Sequence, residues 1–357
     1  MKSEKIPKIK NHNNIYVSFI AIISILILVI APVSSSELQS NDTRTVIDAM
    51  GNTVTIPNNV NSIVALYGAC SAPIVMSALG AGDKLIGGLC FKTPMLMKVQ
   101  PEYEKLDTYK VQEYDGNIEE ILKLNPDVVF GWYTLKNEQA MRDAGIHLVM
   151  LKSAGLADEM NNIAIIGEVT GTQDKAKDLV AYFNDTIKKI ETKISDIPVD
   201  QRKKVLALSK SNPIKAMGAD ARDGDMIRKA GGISVTDNMP GFTVDLNMET
   251  LMKLDPDYII VSPTSNTSYK EIMENPEWDS IRAKNEGHIY QAPTGVFYWD
   301  KSQVEPNLYQ LWLANLLYPD RISSEMLKEE ARSYYKKFFN YDLSDDEYDT
   351  ILNGYLK

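Results

Sequence analysis

Asn117–Phe130 reads NIEEILKLNPDVVF, and Asn247–Ile260 reads NMETLMKLDPDYII. Six of the 14 positions are identical: Asn, Glu, Lys, Leu, Pro and Asp. Each copy opens on Asn, a good helix N-cap. Ile118, Ile121 and Leu122, like Met248, Leu251 and Met252, have the spacing of a one-sided helix. Each helix stops before a Pro, because the residue ahead of Pro avoids the helical region. Each then runs into a β-branched segment of the kind that forms buried strands. A helix–strand unit recurring 130 residues apart predicts two similar lobes.

The flanking sequence extends the pattern. Ser62–Leu66, Lys84–Gly87, Asp127–Gly131 and His147–Leu151 are predicted strands, with helices at Ala72–Leu79 and Asn137–Ala144. Strands at Lys204–Leu208, Ile233–Thr236, Tyr258–Val261 and His288–Gln291, with a helix at Asp223–Ala230, repeat the style. Such alternation gives a mainly parallel sheet covered by helices. Thr172–Ile194 contains no Gly or Pro and places apolar residues at Ala176, Leu179, Val180, Phe183, Ile187, Ile190 and Ile194. That predicts one amphipathic helix of about 34 Å, a stiff connection between lobes. Pro306–Tyr318 and Ser323–Leu356 read as terminal helices rich in Tyr and Phe. The expected fold class is therefore α/β: two lobes with mainly parallel sheets flanked by helices, joined by one long α-helix. The expected boundaries are 45–170 for the first lobe, 171–196 for the connecting helix and 197–357 for the second lobe.

The chain has 357 residues, 24% charged and 44% hydrophobic, with a net charge of −10. This is globular composition. The acidic balance argues against a nucleic-acid partner, which needs a basic face. Two Cys and three His are too few for a disulfide scaffold, a zinc ribbon or a three-His metal cage. His147 and His288 fall in predicted strands without a partner motif, so no site for a naked metal ion is expected. Cys70 and Cys90 fall in loops after neighbouring strands; they could pair, hold a soft metal or stay free thiols. Gly80-Ala81-Gly82 follows a helix and leads into a strand, the reverse of a dinucleotide-binding order, so it reads as a helix C-cap and turn.

Lys2, Lys5, Lys8 and Lys10 precede the apolar run IYVSFIAIISILILVI at 15–30. Residues 1–33 therefore read as an export signal or an N-terminal membrane anchor. No Cys follows the apolar run directly, which argues against a lipoprotein-type anchor. Residues 34–44 read as a polar tether. The basic leader orients the remainder outward, so the working body is expected at the extracellular face of the cell membrane or in a periplasm.

Ligands of open parallel sheets sit beyond the carboxyl ends of the strands. The loops leaving those ends carry Tyr67, Phe91, Lys92, Trp132, Tyr133, Met217, Arg222, Phe242, Phe297, Tyr298 and Trp299, with Lys301 beside them. Aromatic walls with a few cations suit a broad, partly apolar chelate bearing carboxylates or hydroxamates.

These features together resemble the helical-backbone substrate-binding proteins of ABC importers. The segments that carry the resemblance are VIDAMGNTVTIP at 46–57, ALGAGDKLIGG ending at Gly88, both repeats, MRDAGIHLV at 141–149, NPEWDSIRAKNEGHIYQA at 275–292 and EPNLYQLWLANLLYPD at 305–320. The resemblance implies capture of a metal chelate (an iron–siderophore, haem or a corrinoid) between the lobes, without catalysis or a resident cofactor. It implies as partners a permease dimer and its ATPase, and a monomeric binding protein. In the cobalamin-binding members a Trp follows the PDxVxxW stretch, as Trp132 does here, whereas WDKSQVEP at 299–306 lacks an acid-then-Arg pair associated with that ligand. Glu119 and Glu249 occupy one place in the two repeats; the resemblance implies that both dock onto Arg pockets of the permease. The alternatives are a small oxyanion such as molybdate, which the aromatic loops disfavour, a cell-surface interaction protein without a small ligand, and a two-lobed reductase or chelatase, which would need Cys or His ligands that the chain lacks.

Overall fold

Asp127 and Asp257, the acids of the two Pro-Asp steps, each tie their own strand to its neighbour. Asp127 Oδ2 accepts from the Asn61 and Ser62 amides at 2.7 and 2.9 Å, and Asp257 Oδ2 from the Lys204 amide at 2.7 Å. The Asp amides return the bond, to the Ser62 and Lys204 carbonyls, both at 2.9 Å. Burial pushes the Asp127 carboxyl up, but the two amides outweigh it and hold it below the ordinary carboxylate range. Ahead of each Pro, Asn125 and Asp255 turn left-handed, with φ of 46° and 43°, and so end both repeat helices alike.

The computed structural model describes residues 42–106, 116–153, 155–264 and 268–353, and only the backbone of Tyr67. Asn41–Lys357 belong to a single compact unit. The predicted export or anchor segment and the first part of the tether lie outside the described residues. Among the described residues no helix is long and apolar enough to cross a membrane.

The first lobe runs β1 (Thr43–Ile47), β2 (Thr53–Pro57), β3 (Ile63–Ala65), α1 (Ala72–Ala78), β4 (Leu85–Gly87), α2 (Pro94–Val99), α3 (Ile118–Leu124), β5 (Val128–Trp132), α4 (Glu138–Asp143), β6 (Leu148–Leu151) and α5 (Leu156–Thr170). After α6 (Gln173–Ile194) come β7 (Lys204–Ser211), β8 (Ile214–Met217), α7 (Asp223–Lys229), β9 (Ile233–Ser234), β10 (Thr243–Asp245), α8 (Met248–Leu254) and β11 (Tyr258–Val261). The chain ends through α9 (Ser268–Glu274), α10 (Arg282–Asn285), β12 (Ile289–Gln291), α11 (Pro306–Leu317), α12 (Ser324–Phe339) and α13 (Asp345–Asn353).

One sheet has the order β4-β3-β5-β6, all parallel. In the other, β9, β7, β11 and β12 are parallel; β8 runs antiparallel to β7, and β10, antiparallel to β8, returns to the direction of β7. The α/β expectation with mainly parallel sheets and one long connecting helix holds.

Side chains alternate across both sheets as period-two geometry demands. Val64, Val129, Leu148 and Met150 pack with Ile121 and Met141 on one face of the first sheet. Ala65, Val128, Phe130, Val149 and Leu151 face the opposite way, into a core that both lobes share. Leu206, Leu208, Ile259 and Val261 repeat the first arrangement around Leu251, and Val205, Ala207, Tyr258 and Ile260 join the shared core. α6 buries Ala176, Leu179, Phe183, Ile187, Ile190 and Ile194 against α5 and α11. Fully burying each large aliphatic contributes about 1.5–3 kcal/mol, and this burial fastens the helix to α5 of the first lobe and α11 of the second.

Some sequence expectations differ from the fold. Ser323–Leu356 is not one helix: Asn340, left-handed at φ 51°, ends α12, and a short non-helical segment precedes α13. Leu122 and Met252, expected on buried stripes, are 47% and 51% exposed. Two-turn helices seat on their sheets mainly through Ile121 and Leu251, both fully buried. His288 stacks on Tyr258, ring centroids 4.4 Å apart, a packing role.

Candidate functional site

All four strands of the first sheet point the same way, so their carboxyl ends share one edge. The turn after β3 and the loop after β4 are joined there by a disulfide between Cys70 and Cys90. Pairing is thus the outcome among the three that the sequence left open. Trp132 leaves the end of β5 and lies against Gly68, where any Cβ would collide with the indole. Glycine at 68 is what lets the aromatic ring reach the edge. Tyr133 follows, its ring 5.6 Å from that of Trp132.

The facing wall comes from the second lobe. Met217 ends β8, and Asp220–Asp223 lead into α7. The turn after β12 is held by Glu305, buried, which accepts from the Val296 and Phe297 amides at 3.3 and 3.1 Å and from the Tyr335 hydroxyl. Burial pushes the Glu305 carboxyl up to about 7, against the pull of those donors.

Between the walls lies a cleft of about 250 Å³, lined from the first lobe by Trp132, Tyr133, Ser153 and Glu159 among others. The second lobe contributes Asp220, Arg222, Asp223, Phe242, Phe297, Lys301 and Gln303.

Its floor is charged and crosses the lobes. Glu159, in the first turn of α5, pairs with the Arg222 guanidinium. The same guanidinium donates to the Asp300 carbonyl at 2.8 Å and the Ser302 carbonyl at 3.2 Å. Lys301 lies 3.4 Å from Asp223 and 3.5 Å from Asp300. Burial pushes Glu159 and Asp300 above the carboxylate range, opposed by Arg222 and Lys301 respectively. Burial lowers the Lys301 ammonium, but Asp223 and Asp300 outweigh it and hold it above the ordinary lysine value. The lobes also meet where Thr93 donates to the Val296 carbonyl at 2.9 Å and where Phe91 packs 5.5 Å from Phe297.

The sequence-predicted site residues therefore fall into groups. Trp132, Tyr133, Arg222, Phe242 and Phe297 line the cleft together. Phe91 and Tyr298, rings 5.8 Å apart, stand behind Phe297. Met217 is buried, its sulfur 3.9 Å from the Lys301 ammonium. Trp299 is fully buried within the shared core. Lys92 is turned toward Glu104, donating to its carbonyl at 2.8 Å. The side chain of Tyr67 lies outside the description.

Sequence reasoning missed Glu159, Asp300 and Gln303. Glu159 looks like any acid in a first helical turn. Asp300 and Lys301 carried a usable signal, as adjacent opposite charges directly after the aromatic run VFYW at 296–299.

Glu119 and Glu249 both sit in the first turn of their helices, capped by Asn117 and Asn247. A helix returning antiparallel to the strand that follows it starts at that strand's carboxyl-end edge, so both acids stand at the edge that bears the cleft. Both are exposed; Glu249 pairs with Lys253 at 2.7 Å on the surface.

Comparison with known proteins agrees with this architecture. A family model described as a periplasmic binding protein matches residues 64–295. The chain is 26% identical over 283 residues to the uncharacterized ABC transporter substrate-binding lipoprotein YvrC of Bacillus subtilis, covering 77% of this chain and 86% of that protein. It is 24% identical over 346 residues to the molybdate-binding protein MolA of Haemophilus influenzae, covering 88% and 95%. It is 26% identical over 293 residues to the iron(3+)-hydroxamate-binding protein FhuD of Bacillus subtilis, covering 77% and 87%. Among solved structures, a periplasmic solute binding protein from Veillonella parvula superposes with a TM-score of 0.75 at 28% identity, over 87% of this chain and 97% of that one. With its fold, its cleft and a family match over well more than half its length, the chain belongs to the periplasmic binding protein family, as a non-enzymatic substrate-binding component of an ABC transporter.

Proposed function

We propose that this chain captures a metal chelate in the cleft between its lobes and hands it to a membrane permease. The observation that carries the reading is the cleft itself, where Trp132, Tyr133, Phe242 and Phe297 provide apolar walls over a polar floor. Flat or globular chelates with organic shells bury well against aromatic faces, and a few fixed polar groups then orient them. The relative that binds an iron(3+)-hydroxamate supports this class. Phe91, Met217, Tyr298 and Trp299 serve as the packing behind these walls, with Lys92 at the margin; Tyr67 remains a candidate from its place in the sequence alone. The body works outside the cell, tethered or released by residues 1–33, and acts as a monomer.

Delivery uses Glu119 and Glu249. Two acids at equivalent places of two similar lobes match a two-fold permease, and exposed charges of this kind steer and orient docking. The ATPase of the importer then drives release.

A small oxyanion is the second reading. The modest cleft volume of about 250 Å³ and the molybdate-binding relative favour it. Equilibrium dialysis of the full chain in mild detergent separates the two. Retention of a coloured ferric trihydroxamate, haem or corrinoid supports the chelate; retention of molybdate alone overturns it.

A further inference from the structure

Given the chelate reading above, on which this inference rests, we infer that the cleft selects neutral or cationic chelates that present N–H or O–H donors, and rejects anionic ones. A floor holding Arg222 and Lys301 invites the opposite conclusion. The geometry answers each cation before any ligand arrives. Arg222 spends its guanidinium on Glu159 and on two backbone carbonyls. Lys301 is shared between Asp223 and Asp300. Lys92, the remaining loop cation, faces Glu104.

The lining residues carry three acids, Glu159, Asp220 and Asp223, against two bases, and Asp300 adds a fourth acid directly behind Lys301. Acceptor capacity is also left over. Asp223 Oδ2 and Gln303 Oε1 are buried without a hydrogen-bond partner, and both residues line the cleft. The Ser153 hydroxyl, a donor in the lining, already donates to Glu159 at 3.1 Å. Buried polar groups normally find partners, so these two open acceptors ask for donors from the ligand. A carboxylate or oxyanion would meet a lining whose acids outnumber its bases, and like charge suppresses binding of the wrong partner. A primary ammonium, amide N–H or hydroxyl meets the reverse.

The test is a matched series on one ferric trihydroxamate core: a tail ending in a primary ammonium, its N-acetyl derivative and its N-succinyl derivative. Metal centre and shell are constant; the tail charge runs from positive through neutral to negative. Titration calorimetry on the full chain in mild detergent is expected to rank ammonium over acetyl over succinyl, at least tenfold between the ends. Raising salt from low to 0.5 M should weaken the first and spare or improve the last, as screening requires. Asp223→Asn should narrow the ammonium–succinyl ratio severalfold; the salt trend in the unaltered chain gives the same information if that variant folds poorly. Equal affinity across the series, or tightest binding by the succinyl form, overturns the charge selection and leaves the chelate reading standing. Binding of molybdate with none of the three chelates bound overturns both.

Discussion

Glu159 of the first lobe and Arg222 of the second close on each other beneath the cleft, both buried, 63 positions apart in sequence. The pair joins the lobes at the ligand site itself, and α6 joins them along the back. Removing one partner leaves the other as an uncompensated buried charge. Arg222→Met should therefore destabilise by about 3–5 kcal/mol, whereas Glu159→Met combined with Arg222→Met should recover much of that loss. Urea unfolding of the single and double variants reads the difference; additive losses would mean that the two side chains act independently.

The walls should behave differently from the floor. Phe242 is 62% exposed, so Phe242→Ala is expected to change stability by less than about 0.5 kcal/mol. If its ring covers the bound chelate, affinity should fall about tenfold or more, equivalent to about 1.4 kcal/mol. Fluorescence titration against a bound chelate measures this; an unchanged affinity removes Phe242 from the site.

Glu305 makes stability depend on pH. Its folded pKa, about 7, lies above the unfolded value near 4.3, so the folded state holds more protons between them. Stability from this group is complete below about pH 4 and is lost as pH rises through 7, by about 4 kcal/mol at most. Glu305→Gln should flatten the Tm profile between pH 5 and 8. An identical slope in the Gln variant would assign the pH dependence elsewhere.

Much of this fold could be read from residues. The repeat at Asn117 and Asn247 announced two lobes because N-cap, stripe and Pro are local rules, and local rules survive in a single sequence. The length of α6 followed from an uninterrupted stripe. What stayed hidden depends on partners distant in the chain. Nothing near Glu159 marks Arg222 as its mate, nor does the spacing of Cys70 and Cys90 state that they pair. β8 turns antiparallel to β7 through the Asn212–Pro213 turn, an arrangement that periodicity does not encode. The aromatic wall was legible as a set, because loops after parallel strands are topologically placed. Individual depth was not: Trp299 and Phe242 look alike in sequence, yet one is fully buried and the other protrudes.

Docking should separate from capture. Glu119→Ala and Glu249→Ala, singly and together, leave the cleft untouched and should not change chelate affinity. Uptake by cells relying on this protein should drop with each and fall furthest in the double variant. Normal uptake by the double variant would exclude both acids from the permease contact.

Thermal unfolding in the presence of ligands addresses the central claim most directly. The full chain would be heated with a ferric trihydroxamate, a ferric tricatecholate, haem, cobalamin, cobinamide and molybdate in turn. A ligand at 100 times its dissociation constant adds about 2.7 kcal/mol, a rise of a few degrees for a protein of this size. A rise with one metal chelate, lost in Phe242→Ala and Tyr133→Ala, is the expected result. A rise with molybdate alone, or with none of the six, would contradict chelate capture in this cleft.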